Sequence, residues 1–259
     1  MTFSHLQPIS TFGKGRVSDS EVHVWTVSLG DWPDSEIFSL KDILNTEELS
    51  RAAHYHFEPD RRRFMKRRIL LKKLLSFYLN LTPQLIRFRY GLCGKPYLGN
   101  DAGSGSWQFS SSHSQGTAVY AISRQRSLGV DLEMLHTIPE IDALLNRWFP
   151  PQGAMSLQKL SNIQKHLAFY RMWTREEAYL KAIGAGLGSL GSRPAFRFRP
   201  LEPAQPEVSG KPSQSGNWSL QFLTPVPDSI AALAVEGGNY RLRCFQWKPE
   251  VDIPSDSSC

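Results

Sequence analysis

The chain has 259 residues, 41% hydrophobic and 21% charged, the balance of a soluble globular protein with length for one large domain or two small ones. No run of about 18 apolar residues occurs, which excludes a membrane-spanning helix, and residues 1–30 lack the compact apolar stretch of a secretory signal. The formal charge is +6, yet residues 61–73 (RRRFMKRRILLKK) hold eight Lys or Arg and no acid, leaving 22 basic and 24 acidic residues elsewhere.

Residues 1–20 read as a loose lead-in. Glu21 to Gly30 (EVHVWTVSLG) alternates as a strand does. Asn45 or Thr46 caps a helix running through Arg51 and Tyr55. A stronger helix opens at Asp60, with Phe64, Leu71, Leu74, Leu75 and Tyr78 on one side and Asn80 and Pro83 ending it. Residues 85–90 alternate again, 91–96 form a turn cluster, and 100–106 (NDAGSGS) form a flexible loop. FSSSHS from Phe109 and the apolar TAVYAIS follow as strands, and residues 124–127 form a joint before the strand LGVDL. Helices are predicted over 139–148 and 161–183, the second stopped by Gly184 and Gly186. FRFRP (196–200), WSLQFL, IAALAV and YRLRCFQW read as strands, with a proline-rich surface loop over 200–217. Each half thus orders a helix before strands, which predicts an α+β fold of two related lobes.

Asp131 and Glu133 lie two apart in GVDLE. On a strand they face one way, and two such carboxylates are reconciled by a hard cation such as Mg²⁺, or by solvent at an exposed strand end. Trp173, Glu177 and Lys181 in WTREEAYLKAIGAGL share one helix face; a Glu–Lys pair one turn apart is also an ordinary helix-supporting ion pair. The basic run suits phosphates, nucleic acid or an acidic protein, or forms a solvated helix face.

Other motifs fail on context. Gly186, Gly188 and Gly191 spell G-x-G-x-x-G after a helix, not a strand, and no phosphate-loop, H-E-x-x-H or G-x-S-x-G motif occurs. His54 and His56 lack the companions of a zinc site. Cys93, Cys244 and Cys259 are too dispersed for a disulfide framework, which predicts a reducing, cytoplasmic setting.

In order, CGKPYL, FSSSHS, GVDLE and WTREEAYLKAIGAGL resemble the Sfp-type 4′-phosphopantetheinyl transferase family, from roughly Arg51 to Leu187. The resemblance implies two similar α/β lobes forming a pseudo-dimer within a monomer, residues 21–124 and 128–249, with a cleft between them; the last ten residues, 250–259, themselves read as a disordered tail. It implies transfer of 4′-phosphopantetheine from coenzyme A to a serine of apo acyl or peptidyl carrier proteins, with release of adenosine 3′,5′-bisphosphate. Asp131, Glu133 and Glu177 match the family's Mg²⁺ ligands, and Glu177 also its proposed general base. Lys181 matches a pyrophosphate-binding lysine, Ser112 and His113 a pair contacting CoA phosphates, and Lys95 a lysine near the adenosine phosphate. Arg51 and Arg63 match basic CoA contacts. Glu176 stands where the family has Lys, and Ser110 where it often has Asn. The outer lysines Lys66 and Lys73 are expected to be exposed and to steer an acidic carrier. Two other functions compete: a nucleic-acid binder using 61–73, which has only Phe64 interleaved for stacking, and a metal-dependent phosphohydrolase using the three acids.

Overall fold

The computed structural model describes residues 18–30, 32–99, 106–148, 157–186, 207–208 and 217–247. The first half runs β1 (Glu21–Ser28), α1 (Asp34–Ser39), α2 (Thr46–Ala53), α3 (Glu58–Leu79), the small hairpin β2 (Phe88–Tyr90) and β3 (Pro96–Leu98), and the long hairpin β4 (Trp107–Ser114) and β5 (Thr117–Arg124). The second runs β6 (Leu128–Met134), α4 (Ile141–Trp148), α5 (Asn162–Ile183), β7 (Glu207–Val208), β8 (Trp218–Leu223), β9 (Ser229–Glu236) and β10 (Arg241–Trp247).

Two four-stranded sheets result, ordered β10-β1-β5-β4 and β6-β9-β8-β7. Within them one plan recurs: a first strand, a 22-residue helix, then a hairpin whose second strand pairs antiparallel with the first. The final strand departs from the division at 128–249. β10 lies parallel to β1, in register from Glu21↔Arg241 to Val27↔Trp247, so it completes the sheet of the first half.

Strand periodicity sorts the core into layers. Val22, Val24, Val119 and Ala121 face the second sheet and meet Leu128, Val130, Leu132, Leu233 and Val235. Trp25, Val27, Tyr120 and Ile122 face the other way, onto Ile69, Leu70 and Leu74 of α3. Ala232 and Ala234 turn from the inter-sheet layer toward Ala178 and Ala182 of α5. The order is therefore helix, sheet, sheet, helix. Both faces of β1 and β5 are covered, which is why they are apolar almost throughout.

Local chemistry sets the helix ends. Asn45 and Glu48 form a reciprocal capping box on α2, and Ser161 and Gln164 form one on α5. Asn80 and Gly184 close α3 and α5 in left-handed conformations at φ 53° and 72°. The turn cluster at 91–96 is the β2–β3 connection, and the expected strand at 85–90 shortens to β2 behind a 3₁₀ turn at Pro83–Leu85. The expected strand at 196–200, the tail at 250–259 and nearly all of the loops at 100–106 and 200–217 lie outside the described residues, as do residues 1–17 of the lead-in.

α3 corrects the expected basic face. Lys66 is buried, and its Nζ donates to the carbonyls of Leu29, at 3.1 Å, and Trp32. Lys72 is fully buried at 2.6 Å from the Glu48 carboxylate, which also lies 3.6 Å from the buried Arg68. Arg61 and Arg62 pair with Glu58, and Arg63 with Asp60. Much of the run's charge is thus spent inside the first half and along the helix's own first turn, and Lys66 does not stand on an exposed basic face.

Candidate active site

The edge strands β4 and β6 meet where the two sheets come together, and serine hydroxyls join them. Ser110 and Ser114 accept from the backbone N–H groups of Val130 and Met134, both at 3.1 Å. Ser112 donates to Asp131 Oδ1 at 2.8 Å, and Ser114 to Glu133 Oε2 at 3.3 Å. The alternation of SSSHS thus aims one serine after another at β6, whose own alternation presents Asp131 and Glu133 together, as GVDLE predicts.

Gly129 brings α5 onto this strand. A Cβ there would lie 2.0 Å from the Ala178 carbonyl oxygen and 2.4 Å from the Ala182 nitrogen. Only a bare backbone permits that approach. It lets Lys181 Nζ reach Asp131 Oδ1 at 2.7 Å and Ser112 Oγ at 3.0 Å. Glu177, one turn earlier on the same face, joins the group electrostatically. Its pKa is raised by desolvation and by Asp131, with Glu133 adding to the effect and Lys181 opposing it. Glu133 is raised by burial and by Asp131, against hydrogen bonds from Ser114 and Trp173. Asp131 Oδ2 and Glu177 Oε1 are buried without a hydrogen-bond partner.

Hard oxygen donors, mutual repulsion and two unanswered buried oxygens are the chemistry a divalent cation satisfies. The closed three-carboxylate arrangement expected of Asp131, Glu133 and Glu177 is not formed, however. Among the described residues no group of three or more His, Cys, Asp or Glu side chains is gathered to hold a metal. Lys181 is the cation that Asp131 holds.

Ser112, Asp131, Glu133 and Lys181 line a cleft of about 450 Å³ together with Arg51, Tyr55, Phe64, Arg67, Arg68 and His113. Arg51 lies over the rings of Tyr90 and Phe64, 5.2 and 5.8 Å from their centroids. His113 stands exposed at the rim. Partial desolvation and the cations Arg67, Lys181 and Arg63 push its pKa down to about 4, so it is neutral at pH 7.

Two expected CoA contacts lie elsewhere. Arg63 bonds Asp60 on the exposed side of α3 and lines a separate hollow with Arg62, Gln115 and Gly116. Lys95 donates to the carbonyls of Ala182, at 2.9 Å, and Leu128, at 3.3 Å, and burial lowers its pKa to about 8. It fastens the β2–β3 turn to the end of α5. Arg67 and Arg68 escaped the sequence reading; the signal was the helical spacing that puts Arg67 one turn inward of Arg63.

Residues 127–236 match the family model of the 4′-phosphopantetheinyl transferase superfamily, and residues 30–125 match that of the 4′-phosphopantetheinyl transferase N-terminal region. The 4′-phosphopantetheinyl transferase HetI of Nostoc sp. is 36% identical over 89% of this chain and 91% of its own. A putative 4′-phosphopantetheinyl transferase of Synechocystis sp. is 34% identical over 56% of this chain and 58% of its own. The L-aminoadipate-semialdehyde dehydrogenase-phosphopantetheinyl transferase of Xenopus laevis is 30% identical over 68% of this chain and 62% of its own. The chain belongs to the 4′-phosphopantetheinyl transferase superfamily and transfers phosphopantetheine to carrier proteins.

Proposed function

We propose that the donor is coenzyme A, that the cleft seats it, and that the acceptor is a serine of an apo acyl or peptidyl carrier protein. The observation that carries this reading is the cleft's lining, which brings Lys181, Ser112 and the two acids Asp131 and Glu133 together with arginines set among aromatic rings. The three phosphates of CoA need cations at two separated places, and the acids suit a divalent ion beside the diphosphate. Asp131 and Glu177, through their unpartnered oxygens, would hold Mg²⁺ with Glu133 beside them. When bound, Mg²⁺ supplies positive charge to the diphosphate oxygens.

Lys181 reaches the same oxygens as a point charge, oriented by Ser112 and Asp131. The serine oxygen of the carrier bonds to the phosphorus that bears the pantetheine arm. The bond to the bridging oxygen breaks, and adenosine 3′,5′-bisphosphate leaves with the electron pair. Glu177 takes the serine proton; its raised pKa brings it nearer the operating pH, where a general base works best. Neutral His113 at the rim offers a ring N–H to a phosphate oxygen. Because β4 and β6 come from one chain, the cleft needs no second copy, and a monomer is proposed. Free Cys93 and Cys244 support a cytoplasmic setting.

The experiment is incubation with CoA, Mg²⁺ and an apo carrier protein, read by mass spectrometry. A gain of one phosphopantetheine is expected; no gain with any of a panel of acyl and peptidyl carriers refutes the donor and acceptor assignment. Calorimetric titration with Mg²⁺ tests the ion separately, and equal binding by wild type and Asp131→Asn removes Asp131 from the metal set.

A further inference from the structure

We propose that Trp173 is a positioning residue of the acidic site: its indole N–H holds the Glu133 carboxylate in the orientation from which it meets a divalent cation. This rests on the reading that Asp131, Glu133 and Glu177 attend such an ion. Trp173 shares one face of α5 with Glu177 and Lys181, and all three address the acids of β6. Lys181 reaches Asp131, Glu177 feels the charge of both acids, and Trp173 donates to Glu133.

Glu133 has a second donor, the Ser114 hydroxyl, 3.3 Å from Oε2. One donor stands on β4 and the other on α5, so two elements other than its own strand hold this carboxylate. A carboxylate accepts at about four lone-pair positions, so two donors orient it and leave capacity for an ion.

The kind of donor matters. Asp131 is matched by the Lys181 ammonium, which offsets its charge. An indole N–H is a neutral donor, so it orients Glu133 and leaves the negative charge available. Burial and the Asp131 charge push Glu133 toward its protonated form; the hydrogen bonds from Ser114 and Trp173, and then the Lys181 charge, oppose that. Only the ionised carboxylate serves a cation.

The ring that carries the donor is itself fixed. Trp148, the last residue of α4, meets it edge to face, with centroids 5.1 Å apart and planes at 88°. Phe169, one turn earlier on α5, stacks on it at 6.1 Å and 18°. Packing of this kind asks only for an aromatic ring, whereas the bond to Glu133 asks for a ring N–H. Donors that fix a metal-binding side chain tune its affinity for the ion.

The test uses the full chain, Mg²⁺ alone as calorimetric ligand, and the variants Trp173→Phe, Glu133→Gln and their combination. Trp173→Phe keeps the ring and loses the N–H. It should weaken Mg²⁺ binding about tenfold with Tm within a few degrees of wild type. In the Glu133→Gln background the same substitution should change the affinity by no more than about twofold, because the carboxylate it acts through is gone. Independently of any metal, the indole N–H resonance missing from the ¹H–¹⁵N spectrum of Trp173→Phe should move in Glu133→Gln. Mg²⁺ affinity in Trp173→Phe equal to wild type, equal weakening in both backgrounds, or an indole resonance unmoved by Glu133→Gln overturns the proposal. Wild type that takes up no Mg²⁺ refutes instead the metal reading on which it rests, and with it the role given to Trp173.

Discussion

Gly129→Ala tests how closely the site depends on one missing side chain. The added Cβ would meet the Ala178 oxygen at 2.0 Å, where ordinary contact begins at 3.4 Å, so about 1.4 Å of space must be found. The obstructing atoms are backbone, and no rotamer change relieves them. α5 must move off β6, or β6 must bow away. Overpacking of this kind costs about 1–3 kcal/mol, and more where backbone yields. For a chain of this size that lowers Tm by roughly 2–12 °C. The displacement also falls between Lys181 and Asp131, whose 2.7 Å contact cannot survive a shift of that size. A misplacement of about 1 Å typically costs on the order of 100-fold in rate. The assay is single-turnover transfer to an apo carrier, with Tm read alongside and measured well below the lowered Tm. A variant with wild-type Tm and wild-type rate would refute the close approach of α5 to β6.

Asp131→Asn should keep Tm within a few degrees yet reduce transfer by at least about 100-fold, because it removes the charge that orients Lys181; unchanged kcat would exclude it. His23 is buried between Tyr78 and Phe245, and desolvation outweighs Glu21 to hold its pKa down to about 4, with Arg243 assisting. The unfolded chain protonates near pH 6.5 and the folded one near 4, so stability is full above about 6.5 and falls by up to about 3 kcal/mol as pH drops toward 4. His23→Gln should flatten that segment of a Tm–pH profile, and an unflattened profile assigns it to other groups. Lys66→Glu should cost about 3 kcal/mol or more, placing an acid against the Leu29 and Trp32 carbonyls. A folded Lys66→Glu protein with altered carrier KM would restore the exposed-lysine reading.

The elements most legible in the sequence are those whose pattern is local. Two-residue alternation found β1, an apolar run found β5, and the spacing in GVDLE put Asp131 and Glu133 on one side of β6. Capping chemistry at Asn45 and Gly184 and the spacing of Glu177 and Lys181 are equally short-range. What stayed hidden depends on distant partners. Lys66, Lys72 and Lys73 look alike in RRRFMKRRILLKK, and only the positions of Glu48 and the Leu29 and Trp32 carbonyls decide which are interior. Lys95 belongs to a motif that points toward CoA, yet the end of α5 arrives where its ammonium lies. Nothing in YRLRCFQW says which sheet it joins, because its alternation suits either.

That last strand bears on how the protein is made. Residues 21–28 leave the ribosome early, but the parallel partner of β1 at Arg241–Trp247 is synthesised after every other described element. Until then one edge of β1 has no ladder, and Trp25 lacks the Phe245 ring that stacks on it at 4.5 Å. An open edge beside exposed aromatics is a template for wrong pairing. The first sheet to be translated is thus the last to close. Its closure joins the ends of the described chain, a long-range contact that slows folding and makes both halves depend on completion of the whole.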